Sequence, residues 1–258
     1  MKILAIDTSG KAVSAAVAED ARLRAHFWID HGRTHAEALM PCVDAALAGL
    51  GLEPCDFDAF AAIAGPGSFT GLRIGLSVIK AFAFANESAV IGVSTLDALA
   101  KNLEGRGEAL LCPLVRAREG FVYQAIYRVS ASGGNTDGIC CPDGAPIAAG
   151  AARVFGAELL SVDGAVARLK LLRGMHGRIG KCIFNGDAAA PHFERFKAEL
   201  RDAQCVLANE RDMHQNAASA ALLACGAYVN GLAIPPEQLV PQYLNEGYAA
   251  ARGRPGAG

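Results

Sequence analysis

Two stretches of the chain hold residue types at spacings that could do chemistry. The first is Asp7-Thr8-Ser9-Gly10-Lys11, directly behind the apolar run Ile3 to Ile6. The second is Gly65-Pro66-Gly67-Ser68-Phe69-Thr70-Gly71-Leu72-Arg73-Ile74-Gly75, which follows the apolar run Ala59 to Ala64. Strand, glycine-rich turn and helix, in that order, aim backbone N–H groups and a helix N-terminus at an anion. Gly67 and Ser68 are therefore candidate phosphate contacts, and Ser68 or Thr70 can cap the helix. Asp7 closes a strand at the end where open α/β sheets place ligands. Two readings stay open for it: a metal–phosphate contact, or a carboxylate that organises the Thr8-Ser9 turn. No lysine completes a phosphate loop after the glycine turn, and no spacing suggests a Ser/His/Asp set.

Other candidates are weaker. His31 and His35 have H-x-x-x-H spacing, but Thr34 and Glu37 form a capping box that starts the helix after His31. The two rings then do not share a helical face, and polar residues at a helix entry are the plainer reading. The 8 cysteines (Cys42, Cys55, Cys112, Cys140, Cys141, Cys182, Cys205 and Cys225) include no C-x-x-C pair. Vicinal Cys140-Cys141 suits no zinc site, and reduced thiols are expected.

The elements that must position these residues read as α/β. Strands are expected at Lys2 to Asp7, Ala12 to Ala18 and Leu23 to Ile29, a meander with short connections. A helix follows from the capping box to about Leu50, with Leu39, Val43 and Leu47 at helical spacing and Pro41 expected to bend it or delay its start. The helix Leu72 to Ala85 is apolar nearly all round, which calls for cover on both sides. Gly71 and Gly75 lie one turn apart and leave a smooth groove for another helix. Val90 to Val93 and Ser94 to Leu103 read as strand and helix. After Gly105 to Glu108, strands at Ala109 to Val115 and Phe121 to Val129 repeat the opening pattern. Ser130 to Gly138 reads as a loop, Lys181 to Phe184 as a strand, and Phe193 to Leu200 and Met213 to Asn230 as helices. The expected plan is a lobe at 1–105, a second at 106–235 and a tail at 236–258, with the last residues disordered.

The 24 basic and 26 acidic residues nearly balance, which leaves no electrostatic footprint for independent nucleic-acid binding. No signal-peptide pattern opens the chain, and no run of about 18 apolar residues could span a bilayer. A cytoplasmic protein is expected.

The eleven-residue glycine stretch closely resembles the signature of the TsaB (YeaZ) family, bacterial proteins needed for threonylcarbamoyladenosine formation in tRNA. Ile3-Leu4-Ala5-Ile6-Asp7-Thr8-Ser9, Arg33-Thr34-His35-Ala36-Glu37-Ala38-Leu39-Met40-Pro41, Gly92-Val93-Ser94-Thr95-Leu96 and Pro241-Gln242-Tyr243-Leu244-Asn245 support it. Two departures stand out: Arg116-Ala117-Arg118 replaces the family's Asp-Ala-Arg, and Asn245 replaces an Arg. Residues 131–180 match poorly. The resemblance implies a two-lobed actin/hexokinase/Hsp70-like (ASKHA) fold, each lobe a mixed sheet flanked by helices.

It also implies a non-catalytic partner of the TsaD-type threonylcarbamoyltransferase, joined by a TsaE-type ATPase. The catalytic paralogue holds its metal through an H-x-x-x-H motif, and in that register this chain has Thr95 and Leu99, so no metal is expected. His35, Leu39, Leu72, Arg73, Gly75, Leu76 and Ile79 are the implied partner interface. Gly75→Leu should then block partner binding without unfolding the chain. Asp7, Gly67 and Ser68 are possible vestigial nucleotide contacts. No cofactor is expected to bind tightly, ATP or ADP only within the complex, and tRNA only indirectly. The isolated chain could form a homodimer. The competing readings are an ATP-dependent small-molecule kinase and a glycoprotease-like metalloenzyme of the same fold.

Overall fold

The computed structural model describes residues 1–30, 32, 34–129, 151–176 and 180–244. Two five-stranded mixed sheets organise them. The first has the order β3-β2-β1-β4-β5, from β1 (Lys2–Asp7), β2 (Val13–Glu19), β3 (Arg22–Ile29), β4 (Ala59–Gly65) and β5 (Ala89–Ser94). The second has the order β10-β9-β6-β7-β8, from β6 (Ala109–Arg116), β7 (Phe121–Val129), β8 (Ala151–Ser161), β9 (Lys181–Asn185) and β10 (Gln204–Leu207). Each opens with an antiparallel pair and adds a parallel strand beside its first member.

Both faces of the first sheet are covered, which is why β1, β2 and β4 read as continuous apolar runs. On one face lie α1 (His35–Ala48) and α2 (Phe69–Ala85), packing Leu39, Val43, Leu76 and Ile79 onto Leu4, Ile6 and Phe60. On the other lies α7 (Ala217–Val229), whose alanines meet Ile3, Ala5, Ala16 and Ile63. This helix belongs in packing to the first lobe, although the expected boundary of 106–235 assigned it to the second. Chain order suggested otherwise; the Ala face of α7 packs on an Ala-rich sheet face and returns the chain across the lobe boundary.

The expected helix at 213–230 is broken. A four-residue α6 (Glu210–Met213) ends at His214, which is extended, and α7 restarts with Asn216 accepting a hydrogen bond from Ser219 N at 3.0 Å. Pro41 sits inside α1 and does not delay its start; the Glu37 carboxylate reaches back to Thr34 N (3.1 Å) and Thr34 Oγ1 (2.7 Å). In the second lobe α4 (Val162–His176) and α5 (Ala189–Glu199) cover β6, β7 and β9. Residues 131–150, Cys140-Cys141 among them, lie outside the described residues, as do His31, Arg33 and Asn245 with the segment 246–258.

The lobes are joined through α3 (Thr95–Asn102). Asn102 Nδ2 donates to the His214 carbonyl (2.7 Å), its Oδ1 accepts from Ser219 Oγ (2.5 Å), and Asn185 Nδ2 donates to the Leu99 carbonyl (2.8 Å). Leu96, Leu99 and Leu103 are buried among Leu111, Val115 and Ile183 of the second sheet.

Candidate functional site

The β1–β2 turn is the meeting point of the molecule. Asp7 is 2% exposed, and its Oδ1 accepts from Ser9 N (2.8 Å) and Ser9 Oγ (2.6 Å). The turn-organising role open to Asp7 is therefore present in the geometry. Burial raises its carboxyl to about 6, against the Ser9 hydrogen bonds and the nearby His35, which lower it. Thr8 Oγ1 donates to the Gly71 carbonyl (2.7 Å), Ser68 N donates to the Ser9 carbonyl (2.8 Å), and His35 Nε2 hydrogen-bonds the Gly10 carbonyl (2.8 Å).

This explains the glycines of α2. A Cβ on Gly71 would stand 2.0 Å from the Thr8 carbonyl oxygen, and one on Gly75 2.4 Å from Thr8 Oγ1. The groove they form receives the chain's own turn, not another helix. Gly67 likewise packs on the Ser9 carbonyl. Of the three residues offered as nucleotide contacts, only Asp7 lines the cleft between the lobes; Gly67 and Ser68 bind the turn from the other side.

The cleft encloses about 130 Å³ and is lined by Asp7, Gly10, Lys11, Trp28, Asp30, Arg116, Asp187, His214 and Gln215 among others. Arg116 N donates to Asp187 Oδ1 at 2.7 Å. Gln215, 4% exposed, has no hydrogen-bond partner for Oε1. Sequence reasoning missed Gln215 and His214 because they sit in the break of an apparently continuous helix. Among the described residues no group of three or more His, Cys, Asp or Glu side chains could hold a metal. In the register of the metal-binding motif, Thr95 and Leu99 are both buried.

The expected interface residues are divided by the structure. Leu39, Leu72, Leu76, Ile79 and Gly75 are buried in the first lobe's own core and present no open surface in the single chain. On α2, Leu72, Gly75, Leu76 and Ile79 are the i, i+3/i+4 stripe facing the sheet; the opposite stripe is the one left outside. That outer stripe carries Phe69 (54% exposed), Arg73, Ser77 and Phe84 (60% exposed). Phe69, Arg73 and Ser77, with Thr70, Ile74 and Val78, line a shallow groove of about 500 Å³. Of the expected set, Arg73 lies in this groove, while half-buried His35 holds the turn.

The Pro241-to-Leu244 stretch is a strap over the start of α2. Leu239 is buried against Gly92, Gln242 N donates to the Ala64 carbonyl (2.7 Å), and Tyr243 stacks on Phe69 at 5.4 Å. Arg73 lies 3.9 Å over the Phe69 ring and donates to Tyr243 Oη (3.3 Å). Gly65, at φ +124° and with the Gln242 carbonyl oxygen 2.7 Å from where a Cβ would be, lets the strap cross.

The model of the TsaD family, tRNA N6-adenosine threonylcarbamoyltransferase, matches residues 30–226. The chain belongs to this family. Among relatives, it is 38% identical over 134 residues to the tRNA threonylcarbamoyladenosine biosynthesis protein TsaB of Escherichia coli K12, covering 52% of this chain and 58% of that one. It is 34% identical over 129 residues to the TsaB of Bacillus subtilis 168, covering 50% and 56%. The chain thus spans little more than half the length of these curated relatives. The solved YeaZ of Pseudomonas aeruginosa superposes with a TM-score of 0.73 at 25% identity, over 94% of this chain and 99% of that one. The two-lobed ASKHA fold is thereby shown. No helix among the described residues is long and apolar enough to cross a membrane.

Proposed function

We propose that the chain is a non-catalytic subunit for threonylcarbamoyladenosine formation in tRNA, bound to a TsaD-type paralogue through the outer stripe of α2. The observation that carries this reading is the pair of exposed phenylalanines, Phe69 and Phe84, on a helix whose inner face is already filled. Exposed aromatic side chains with an arginine stacked on one of them are residue types enriched at interfaces. Leu99 cannot ligate a metal, and Arg116 opposes one at the second-lobe turn, which supports a supporting role over catalysis. The kinase reading is disfavoured, since a cleft of about 130 Å³ falls below the roughly 300–1,000 Å³ of ordinary ligand pockets.

Light scattering after size exclusion, on the chain alone and mixed with the TsaD-type paralogue of the same genome, tests the proposal. A 1:1 species that replaces any self-dimer is expected. Phe84→Glu should abolish that species while the isolated chain stays folded. A mixed species unaffected by Phe84→Glu and Phe69→Glu would move the interface elsewhere. Absence of any mixed species at micromolar concentrations would remove the subunit reading.

A further inference from the structure

The cleft has a polarity that its size and lining make specific. At its closed end stand two acceptors: the Asp7 carboxylate, whose Oδ2 takes no hydrogen bond among the described residues, and the unpartnered Oε1 of Gln215. Both side chains are more than nine-tenths buried. At its exposed rim stand two cations, Lys11 and Arg116, beside the carboxylates of Asp30 and Asp187, the latter engaged by the Arg116 backbone. Trp28 forms an apolar wall. Gln215 Oε1 is a buried acceptor without a donor and the Asp7 carboxylate lines the cleft, so a ligand that brings N–H groups inward is favoured. A bare anion would meet Asp7. A bare metal ion finds no set of three or more His, Cys, Asp or Glu ligands among the described residues. A volume of about 130 Å³ holds roughly four waters at ~30 Å³ each, or one small organic molecule.

We infer that this cleft binds a small zwitterion of free amino-acid size, its ammonium on Asp7 and Gln215 and its carboxylate on Arg116. The planar guanidinium suits a carboxylate through two parallel hydrogen bonds. This site stands apart from the subunit reading, because a chain that binds no paralogue still presents it.

The chain's single tryptophan, Trp28, reports on the cleft. The full chain is titrated with each common L-amino acid, and with acetate, methylammonium and ATP, following Trp28 emission and calorimetric heat. At least one amino acid should saturate at millimolar concentration or below. Acetate and methylammonium should bind about tenfold or more weakly, since each supplies one end only. Arg116→Gln, at an exposed position, should weaken the amino acid about tenfold and leave methylammonium unchanged. Gln215→Leu should weaken both. Saturation by ATP in preference to every amino acid, an affinity indifferent to Arg116→Gln, or neither heat nor emission change with any amino acid would each overturn the inference.

Discussion

The two faces of α2 are made from one apolar stretch and have opposite fates. The inner face, Gly71, Leu72, Gly75, Leu76 and Ile79, is closed by the β1–β2 turn and the first sheet. The outer face, Phe69, Arg73, Ser77 and Phe84, meets the C-terminal strap at its beginning and is otherwise exposed among the described residues. The inner face sets two glycines among aliphatic side chains, while the outer face mixes two phenylalanines with Arg73 and Ser77. Glycine marks where another segment of the chain must come within van der Waals distance, and the exposed Phe84 marks where the helix is left open to solvent. Apolar character alone identifies a helix that needs cover; it does not say which side supplies it.

The sharpest way to break this comparison is Gly75→Leu. If the glycine face were an interface, the isolated protein would tolerate it. Since a Cβ there would lie 2.4 Å from Thr8 Oγ1, the turn carrying Asp7 must be displaced. The expected loss is on the order of 3 kcal/mol or more, or failure to fold. Denaturant unfolding of the isolated chain measures it, and a stability within about 0.5 kcal/mol of the parent would restore the glycines to the surface.

Asp7→Asn tests the same turn through charge. Asn keeps an acceptor for Ser9 and removes the buried ionisation. Because burial raises Asp7 from 3.8 to about 6, the folded state holds the proton more tightly than the unfolded chain. Its contribution is absent below about pH 4, where both states are protonated. Stability then falls as pH rises and is lowest above about pH 6, by roughly 3 kcal/mol at 1.36 kcal/mol per unit. The variant should therefore be more stable than the parent near pH 8 and equal to it near pH 4. Thermal unfolding across that range checks the sign; an equal difference at both ends would remove the buried carboxylate as its cause.

These variants also show what was legible in the sequence. Asp7 stood out because a carboxylate ends an apolar strand, and its turn-organising role is a local one that the Thr8-Ser9 pair made legible; Thr34 with Glu37 likewise marked the helix start. The glycines stood out too, but their partner did not. Thr8 lies 63 residues before Gly71, and no local pattern records a contact at that separation. Trp28 and Gln215 reach the cleft through sheet order and a helix break, both set by tertiary packing. The Pro241 motif was visible as a motif, yet its use as a strap depends on Gly65 and Phe69 lying beneath it.

On the outer face, Phe84→Glu should leave unfolding within about 0.5 kcal/mol of the parent, as exposed sites do, while costing roughly 2 kcal/mol or more in paralogue binding if it anchors that contact. The comparison fails if the two numbers exchange places.

The smallest effect belongs to the one point where the faces share a support. Tyr243→Ala removes a stack on Phe69 and the acceptor for Arg73 Nε but keeps the Gln242–Ala64 backbone bond. Aromatic pairs and exposed cation–π contacts are each worth about 1 kcal/mol, and Tyr243 is 40% exposed. A loss of about 1 kcal/mol in stability is expected. Binding of the paralogue should weaken by a comparable amount, because Phe69 would no longer be held against Arg73. Adding Phe69→Ala to Tyr243→Ala should then cost less than the sum of the single changes, since both remove the same stack. Strict additivity in unfolding would mean that the strap and the outer face act independently, and that Tyr243 holds the end of the chain without shaping the surface of α2.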